Sequence, residues 1–302
     1  MNPFTIVCVL HDSAGPLEAL LDSLDAHLPD RDRVQLVVVD TGSSDGGSAL
    51  ARARDADVIE LDPSVGFGAA NNAGIRRASH PLTVLLNPDC ELLDESLTTL
   101  AAAAAVSPPA LHVPRLLNTD HTVQRSAHPL PGTPGTLLAA LVSPRALPRT
   151  LRERLEPWRS QRTRTVGWAI AACVAAPTAT LRRLGPFRAD EFLFFEDLDL
   201  CLRARSVGIP TVLHPDLRVR HLGGHATAVA YRVEPHELLA RRRREVIERN
   251  RAGVARRLDD VAQLLTYATR SAARAAVRRP APRERAQLAA QLSVIRSAPW
   301  IS

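Results

Sequence analysis

The chain has 302 residues, with 38 basic side chains, all arginine, against 32 acidic ones, 45% apolar residues and four cysteines. That length suits one large domain or one domain with an appendage, and the composition excludes disordered and collagenous classes. Cys8, Cys90, Cys173 and Cys201 form no CxxC pair, which argues against a zinc knuckle or disulfide scaffold and for a reducing compartment. Phe4 to Leu10 is a continuous apolar run of strand length, and Leu17, Leu20, Leu21 and Leu24 follow at helical spacing. Val34 to Val39 is a second buried-strand run ending at Asp40. Turn residues Thr41 to Gly47 then feed a helix over 48–54. Asp57 to Leu61 reads as a third strand, Gly66-Phe-Gly68 opens a helix over 69–78, and Leu82 to Leu86 is a fourth strand ending at Asn87-Pro-Asp89. Uninterrupted apolar strands separated by helices predict an α/β fold with a mostly parallel sheet covered on both faces.

Residues 118–165 show little periodicity and read as a long loop, or as a short helical excursion around Leu137 to Leu141. Strand signals return over 166–176. The stretch Val166 to Leu181 is apolar for 16 residues but contains Pro177 and falls short of the roughly 20 that a spanning helix needs. Phe192 to Arg203 is helical in its second half, and 210–214 and 217–220 read as strands. From Glu234 the pattern is helical, with Ile247, Val254, Leu258, Val261, Leu265 and Ala268 on one face and a last short helix beyond Pro280 and Pro282. From Arg241 to Ser302 fifteen arginines face five acids, net +10, which leaves −4 for residues 1–240. The N-terminus lacks the basic start of a secretory signal. The expectation is a soluble or peripheral protein.

Ligands of open α/β sheets bind beyond the carboxyl ends of the strands, where Asp40 and Asp89 both fall. Asp89, with Glu91 two residues on, suits a divalent cation held with phosphates; its other reading is the cap of a helix starting near Leu92 or Leu93. Asp40 suits a nucleobase N–H, or simply a turn before glycine. Gly66 to Gly74 offers backbone amides at a helix start to an anion, and equally suits close helix packing. Glu196, Asp197 and Asp199 follow an apolar run, so partial desolvation raises a carboxylate toward the range of a general base. A helix N-terminus that favours negative charge accounts for one or two of the three. His221 ends another alternating segment, and a lone histidine is more often structural.

Taken in order, Val-Val-Val-Asp-Thr-Gly-Ser-Ser-Asp-Gly (37–46), Val-Gly-Phe-Gly-Ala-Ala-Asn-Asn-Ala-Gly (65–74), Leu-Leu-Asn-Pro-Asp (85–89), Phe-Phe-Glu-Asp-Leu-Asp-Leu-Cys-Leu-Arg (194–203) and His-Leu-Gly-Gly (221–224) resemble family 2 glycosyltransferases of the GT-A fold. The likeness is strongest to the bacterial rhamnosyltransferase-like branch and spans roughly residues 4–225. It implies transfer of a sugar with inversion from a nucleotide-diphosphate donor, dTDP- or UDP-linked, to an acceptor hydroxyl, with Mg2+ or Mn2+. Residue by residue, it implies Asp40 at the nucleobase, Gly66 and Asn72 along the donor, Asn87 and Asp89 in the DxD element with Asp89 on the metal, Asp197 as base beside Glu196, and His221 at the metal or diphosphate. The chain departs from the family in Leu10-His11-Asp12, where Thr-Tyr-Asn is usual, in Thr41 for a common Asn, and in Ala171 or Ala172 for a Gly.

The resemblance also implies a saccharide or lipid-linked acceptor in cell-envelope polysaccharide or glycolipid synthesis, and a cytoplasmic location. The expected division is a catalytic domain over 1–230 and a basic helical extension over 231–302. Its run Arg241 to Arg244 suits an anionic membrane at the inner face of the cell membrane or a solvated packed helix; the tail lacks interleaved aromatics, so nucleic acid is not expected. Two competing readings are a nucleotide-sugar-binding protein without turnover and a dinucleotide-dependent oxidoreductase. Asp89 and Asp197 are both present, against the first, and no GxGxxG follows strand one, against the second.

Overall fold

The apolar runs fold as strands covered on both sides. The computed structural model describes residues 2–106, 108–185, 187–188, 194–223 and 235–297. The chain forms two compact units, Met1–Ala127 with Trp158–Arg232 and His128–Pro157 with Val233–Ser302. In the first, β1 (Phe4–Leu10), α1 (Ala14–His27), β2 (Val34–Asp40), α2 (Gly47–Ala53), β3 (Asp57–Glu60), α3 (Phe67–Arg77) and β4 (Leu82–Leu86) alternate as the sequence predicts. β3, β2, β1 and β4 lie side by side and all parallel. Phe4, Ile6, Cys8 and Leu10 share a core with Leu17, Leu20, Leu21 and Leu24 of α1, each leucine contributing about 1.5–3 kcal/mol by burial. The other face of the sheet receives α3. A Cβ on Gly74 would lie 2.3 Å from Val7 Cγ1, so this helix reaches the sheet only through a residue without a side chain.

Beyond β4 the sheet becomes mixed. β5 (Cys90–Leu92), α4 (Ser96–Ala105), β6 (Leu111–Leu117) and β7 (Ala127–His128) come next, and β8 (Arg164–Val166), β9 (Trp168–Ala169) and β10 (Cys173–Pro177) close the middle of the unit. α7 (Thr178–Arg183), α8 (Glu196–Ser206) and β11 (Thr211–His221) complete it. β10 inserts antiparallel between β4 and β6, β6 pairs parallel with β11, and β11 takes β5 and β8 antiparallel. α4 adds Leu97, Leu100, Ala101 and Ala104 to the core.

Two local expectations change. Asp89 does not cap a helix: the next residues are β5, captured by β11 in the register His221 to Cys90, and α4 starts only at Ser96. The segments at 210–214 and 217–220 are one strand, β11, with a register shift between His214 and Arg218. Pro215, which has no N–H to give a ladder, sits in that shift.

In the second unit, α5 (Pro134–Leu141) and α6 (Arg149–Leu155) are the helical content of the aperiodic stretch. Thr133 and Thr136 form a reciprocal capping box at the start of α5. α9 (His236–Asn250), α10 (Gly253–Ala276) and α11 (Pro282–Ser297) follow, so the periodicity from Ile247 to Ala268 runs over two helices, and the last is longer than predicted. Asp259 takes two 2.8 Å bonds from Arg243, and Asp260 accepts from Arg244 at 3.2 Å and from Gln291 at 3.2 Å. Arg243 and Arg244 are therefore turned to carboxylates within the unit. Glu234 lies outside the described residues, and among the described residues no helix is long and apolar enough to cross a membrane.

Gly74→Ala forces Val7 or α3 to move. The expected net cost is about 1–2 kcal/mol, overpacking set against a better helix former, read as a lower midpoint in urea unfolding.

Candidate active site

The carboxyl ends of β1, β2 and β4 converge on loops stitched by acids. Asp40, buried at the end of β2, accepts from the Ser43 N–H at 2.9 Å, the Ser43 hydroxyl at 2.6 Å and the Ser48 hydroxyl. Asp12 Oδ1 accepts from the Ser44 N–H at 2.8 Å, and that bond first of all holds its pKa below the usual carboxylate range. Asp45 ties the same loop to the Ala14 N–H at 2.6 Å. Three carboxylates thus fix the 41–47 turn against the end of β1. Asp40 orders this turn and keeps one acceptor position on Oδ2.

Gly66 precedes the first turn of α3, and Asn72 lies one turn further in. The buried Asn72 amide is engaged at both ends: Nδ2 donates to the Phe187 carbonyl at 2.7 Å, and Oδ1 accepts from the Phe187 N–H at 2.8 Å. Asn72 therefore clamps residue 187 to α3, and the Phe67 and Phe187 rings meet edge to face at 6.0 Å.

Asp89 stands where three segments meet. The preceding Asn87 donates its N–H to Ala172 at 2.9 Å, next to the start of β10. Asp89 accepts from the Leu222 N–H at its carbonyl, 2.9 Å, and from the Gly223 N–H at Oδ2, 3.1 Å. His221 Nε2 is 3.3 Å from Asp89 Oδ1, and both residues are buried. Burial pushes the Asp89 carboxyl up, but the bond and charge of His221 and the Gly223 N–H outweigh it, so the net shift is downward. On the far side of the imidazole, Nδ1 meets Gln124 Oε1 at 2.9 Å. The Gln124 amide nitrogen donates to Asn118 at 3.2 Å and to the His221 carbonyl at 3.4 Å, which aims its oxygen at the ring. Nδ1 therefore carries the hydrogen, and Nε2 faces Asp89 with a lone pair or a second proton.

Asp89, Cys90 and His221 place one donor atom each within 4.8 Å of one another. Burial pushes the Cys90 thiol well above its ordinary value, so it stays neutral and the oxygen and nitrogen donors are those of Asp89 and His221. Glu91 is spent elsewhere, on Arg220 across the β5–β11 pair at 3.0 Å.

Asp197 sits in the first turn of α8. Two consecutive non-glycine residues, Phe194 (φ +84°) and Phe195 (φ +64°), take the left-handed conformation just before it, a strained entry that fixes where the helix starts. The Phe195 ring contacts Trp168 at 6.4 Å. Phe192 and Leu193, part of the apolar run noted before the acids, lie outside the described residues, as does Gly224. Desolvation pushes the Asp197 carboxyl up to about 6, against the N–H groups of Leu198 and Ala171, which pull it down. Asp199 is the structural acid of the trio, fully buried and bonded to Arg203 at 2.7 Å. Glu196 is buried beside Asp197.

The Ala171–Ala172 dipeptide joins the two centres, since Ala171 donates its N–H to Asp197 and Ala172 accepts from Asn87. Gln124 escapes sequence reasoning, whereas Gly223 and Ala171 lie in segments the sequence singles out without revealing what they bond to. Gln124 falls in the aperiodic stretch, and the other two act through backbone atoms.

Residues 5–184 match the model of the family described as glycosyl transferase family 2. The chain belongs to that family. It is 28% identical over 242 residues to the N-acetylglucosaminyl-diphospho-decaprenol L-rhamnosyltransferase of Mycobacterium tuberculosis, covering 74% of this chain and 76% of that one. The mannosyltransferase PcManGT from Pyrobaculum calidifontis, solved with GDP-Man and Mn2+, is similar in fold with a TM-score of 0.58 at 16% identity, covering 98% of this chain and 86% of that one. S. aureus TarS 1-349 with UDP-GlcNAc gives the same score and identity, covering 98% and 82%. The fold of this family 2 glycosyltransferase is GT-A.

The raised pKa of Asp197 has a consequence for stability. The fold favours its protonated form, so this contribution is full below the unfolded value near 4 and is lost as pH rises through about 6. Asp197→Asn is expected to stabilise the protein at pH 7.5 by up to about 2 kcal/mol, with the gain vanishing below pH about 4. Thermal unfolding of both proteins across that range checks it.

Proposed function

We propose that this glycosyltransferase moves a hexose, rhamnose first among the candidates, from a dTDP- or UDP-linked donor to an acceptor hydroxyl with inversion. The acceptor class is a lipid-linked saccharide used for cell-envelope polysaccharide or glycolipid, met at the inner face of the membrane. The reading rests above all on one observation: a carboxylate raised to about 6, Asp197, is tied through Ala171–Ala172 to the turn that carries Asp89. The likeness to a rhamnosyltransferase whose name specifies a diphospho-decaprenol substrate supports the acceptor class.

The donor set fits a hard divalent ion. Asp89 offers an oxygen and His221 a nitrogen with its far side fixed by Gln124, and two lone pairs facing each other at 3.3 Å call for a cation or a proton between them. Magnesium or manganese held there would neutralise charge on the departing diphosphate, as such ions do with one or two protein ligands and substrate phosphates. Asp40 would take the nucleobase N–H on its remaining acceptor position, and Gly66 would border the donor at the start of α3.

Asp197 accepts the proton of the acceptor hydroxyl. As it does, that oxygen forms its bond to the anomeric carbon from the face opposite the diphosphate. The anomeric carbon–oxygen bond to the diphosphate breaks, and its electron pair leaves with the phosphate oxygen. No covalent enzyme intermediate is needed, and Glu196, buried next to Asp197 in the first turn of the helix, is the second acid of the catalytic pair.

Asp197→Asn is expected to leave donor affinity nearly unchanged and lower turnover by about 100-fold or more. The wild-type rate should fall as pH drops through about 6, where the base becomes protonated. Asp89→Ala should instead weaken metal-dependent donor binding, read by calorimetry. Proton NMR of the product formed from donor of known anomeric configuration tests inversion. Full turnover in Asp197→Asn would sink the base assignment.

A further inference from the structure

The helix α10 carries its apolar stripe on the outside. Val254 and Val261 are 67% and 46% exposed, Leu258 and Leu265 are half-buried, and Ala268 is exposed. Their spacing of four, three, four and three puts them on one strip. The buried side of the helix holds Ala255, Asp259 and Ala262, with Asp260 also buried. The carboxylates decide this orientation, because Arg243, Arg244 and Gln291 bind them from α9 and α11. Separating those buried pairs costs more than the hydration of two valines. Leu141, 62% exposed, ends the helix α5 that bonds α10 through the Thr269 hydroxyl and the Ala140 carbonyl at 3.0 Å.

The same unit, residues 128–157 and 233–302, has 19 arginines against nine acids, a net charge of +10. Arg257 is exposed at the margin of the stripe between Val254 and Val261, and Arg278 and Arg279 are exposed just past the end of α10. A second copy laid on the stripe would bring +10 against +10. A nucleic acid would meet the arginines and leave the apolar strip in water.

We propose that the Val254–Ala268 stripe is a docking face for an anionic lipid bilayer. The helix lies in the plane of the interface with its valines and leucines at the acyl boundary and its arginines among headgroup phosphates. This deepens the reading of a membrane-side acceptor by naming the surface that meets the membrane, and it relocates that surface from the Arg241–Arg244 run, whose four arginines are each paired with a carboxylate.

The test is sedimentation of the full chain with vesicles of phosphatidylcholine alone and of phosphatidylcholine with about a third phosphatidylglycerol. Wild type should partition at least about tenfold more strongly onto the anionic vesicles, less so at high salt, and Val254→Gln with Val261→Gln should lose about tenfold. Circular dichroism and titration with UDP or dTDP, unchanged by substitutions far along the chain from Asp40 and Asp89, show that the double variant is folded. Equal partition of variant and wild type, or absence of wild-type binding to anionic vesicles, overturns the proposal. So does a wild-type dimer that the double variant abolishes, which would assign the stripe to a second copy. Failure of donor binding in wild type, with vesicle binding intact, would count against the functional reading and leave the docking face standing.

Discussion

A carboxylate and an imidazole 3.3 Å apart, Asp89 and His221, pin together chain segments more than a hundred residues apart in sequence. One arrives from the parallel half of the sheet through the Asn87-Pro88-Asp89 turn, and the other from the end of β11, where the sheet has become mixed. The turn donates to Ala172, the β5–β11 ladder continues from the same point, and Gln124 fixes the ring from behind. Loss of either partner would leave a buried polar group unsatisfied, a cost usually larger than the value of the pair itself. The insertion of β10 between β4 and β6 is what brings Ala171 and Ala172 within reach of both the turn and α8.

The two charged centres are tuned in opposite directions by the same surroundings. Asp89 is buried but compensated by His221 and Gly223, so it stays ionised. Asp197 is desolvated with weaker compensation and rises to about 6. A fold that separates its carboxylates in this way can keep one as a cation ligand and the other as a proton acceptor, and the strained Phe194–Phe195 entry is part of the cost of holding the second in place.

The first four strands were legible because each is buried on both faces and so reads as an uninterrupted apolar run. Asp89 was legible as a strand-end acid but not as the neighbour of β5. That three-residue strand exists only because β11, some 120 residues on, pairs with it. The helices of 118–165 were half visible, at Leu137 to Leu141, since their caps are local while their packing is not. Periodicity puts Ile247 to Ala268 on one face of a single helix, which the structure divides between two; the 254–268 part is an apolar strip, but the side that faces inward is set by Arg243 and Arg244 reaching Asp259 and Asp260 from another helix. Among the site residues, Asn72 and Asp40 carry bonding that sequence alone leaves open: Asn72 holds Phe187, and Asp40 holds its own turn.

The most direct test of the central claim, a metal-assisted nucleotide site built on Asp89 and His221, is calorimetric titration of the purified chain with UDP, dTDP and GDP, each with and without Mn2+. Binding of one pyrimidine diphosphate that strengthens at least about tenfold with the metal is the predicted result. Folded protein that binds none of the three, or binds one equally well without metal, would contradict the site as described.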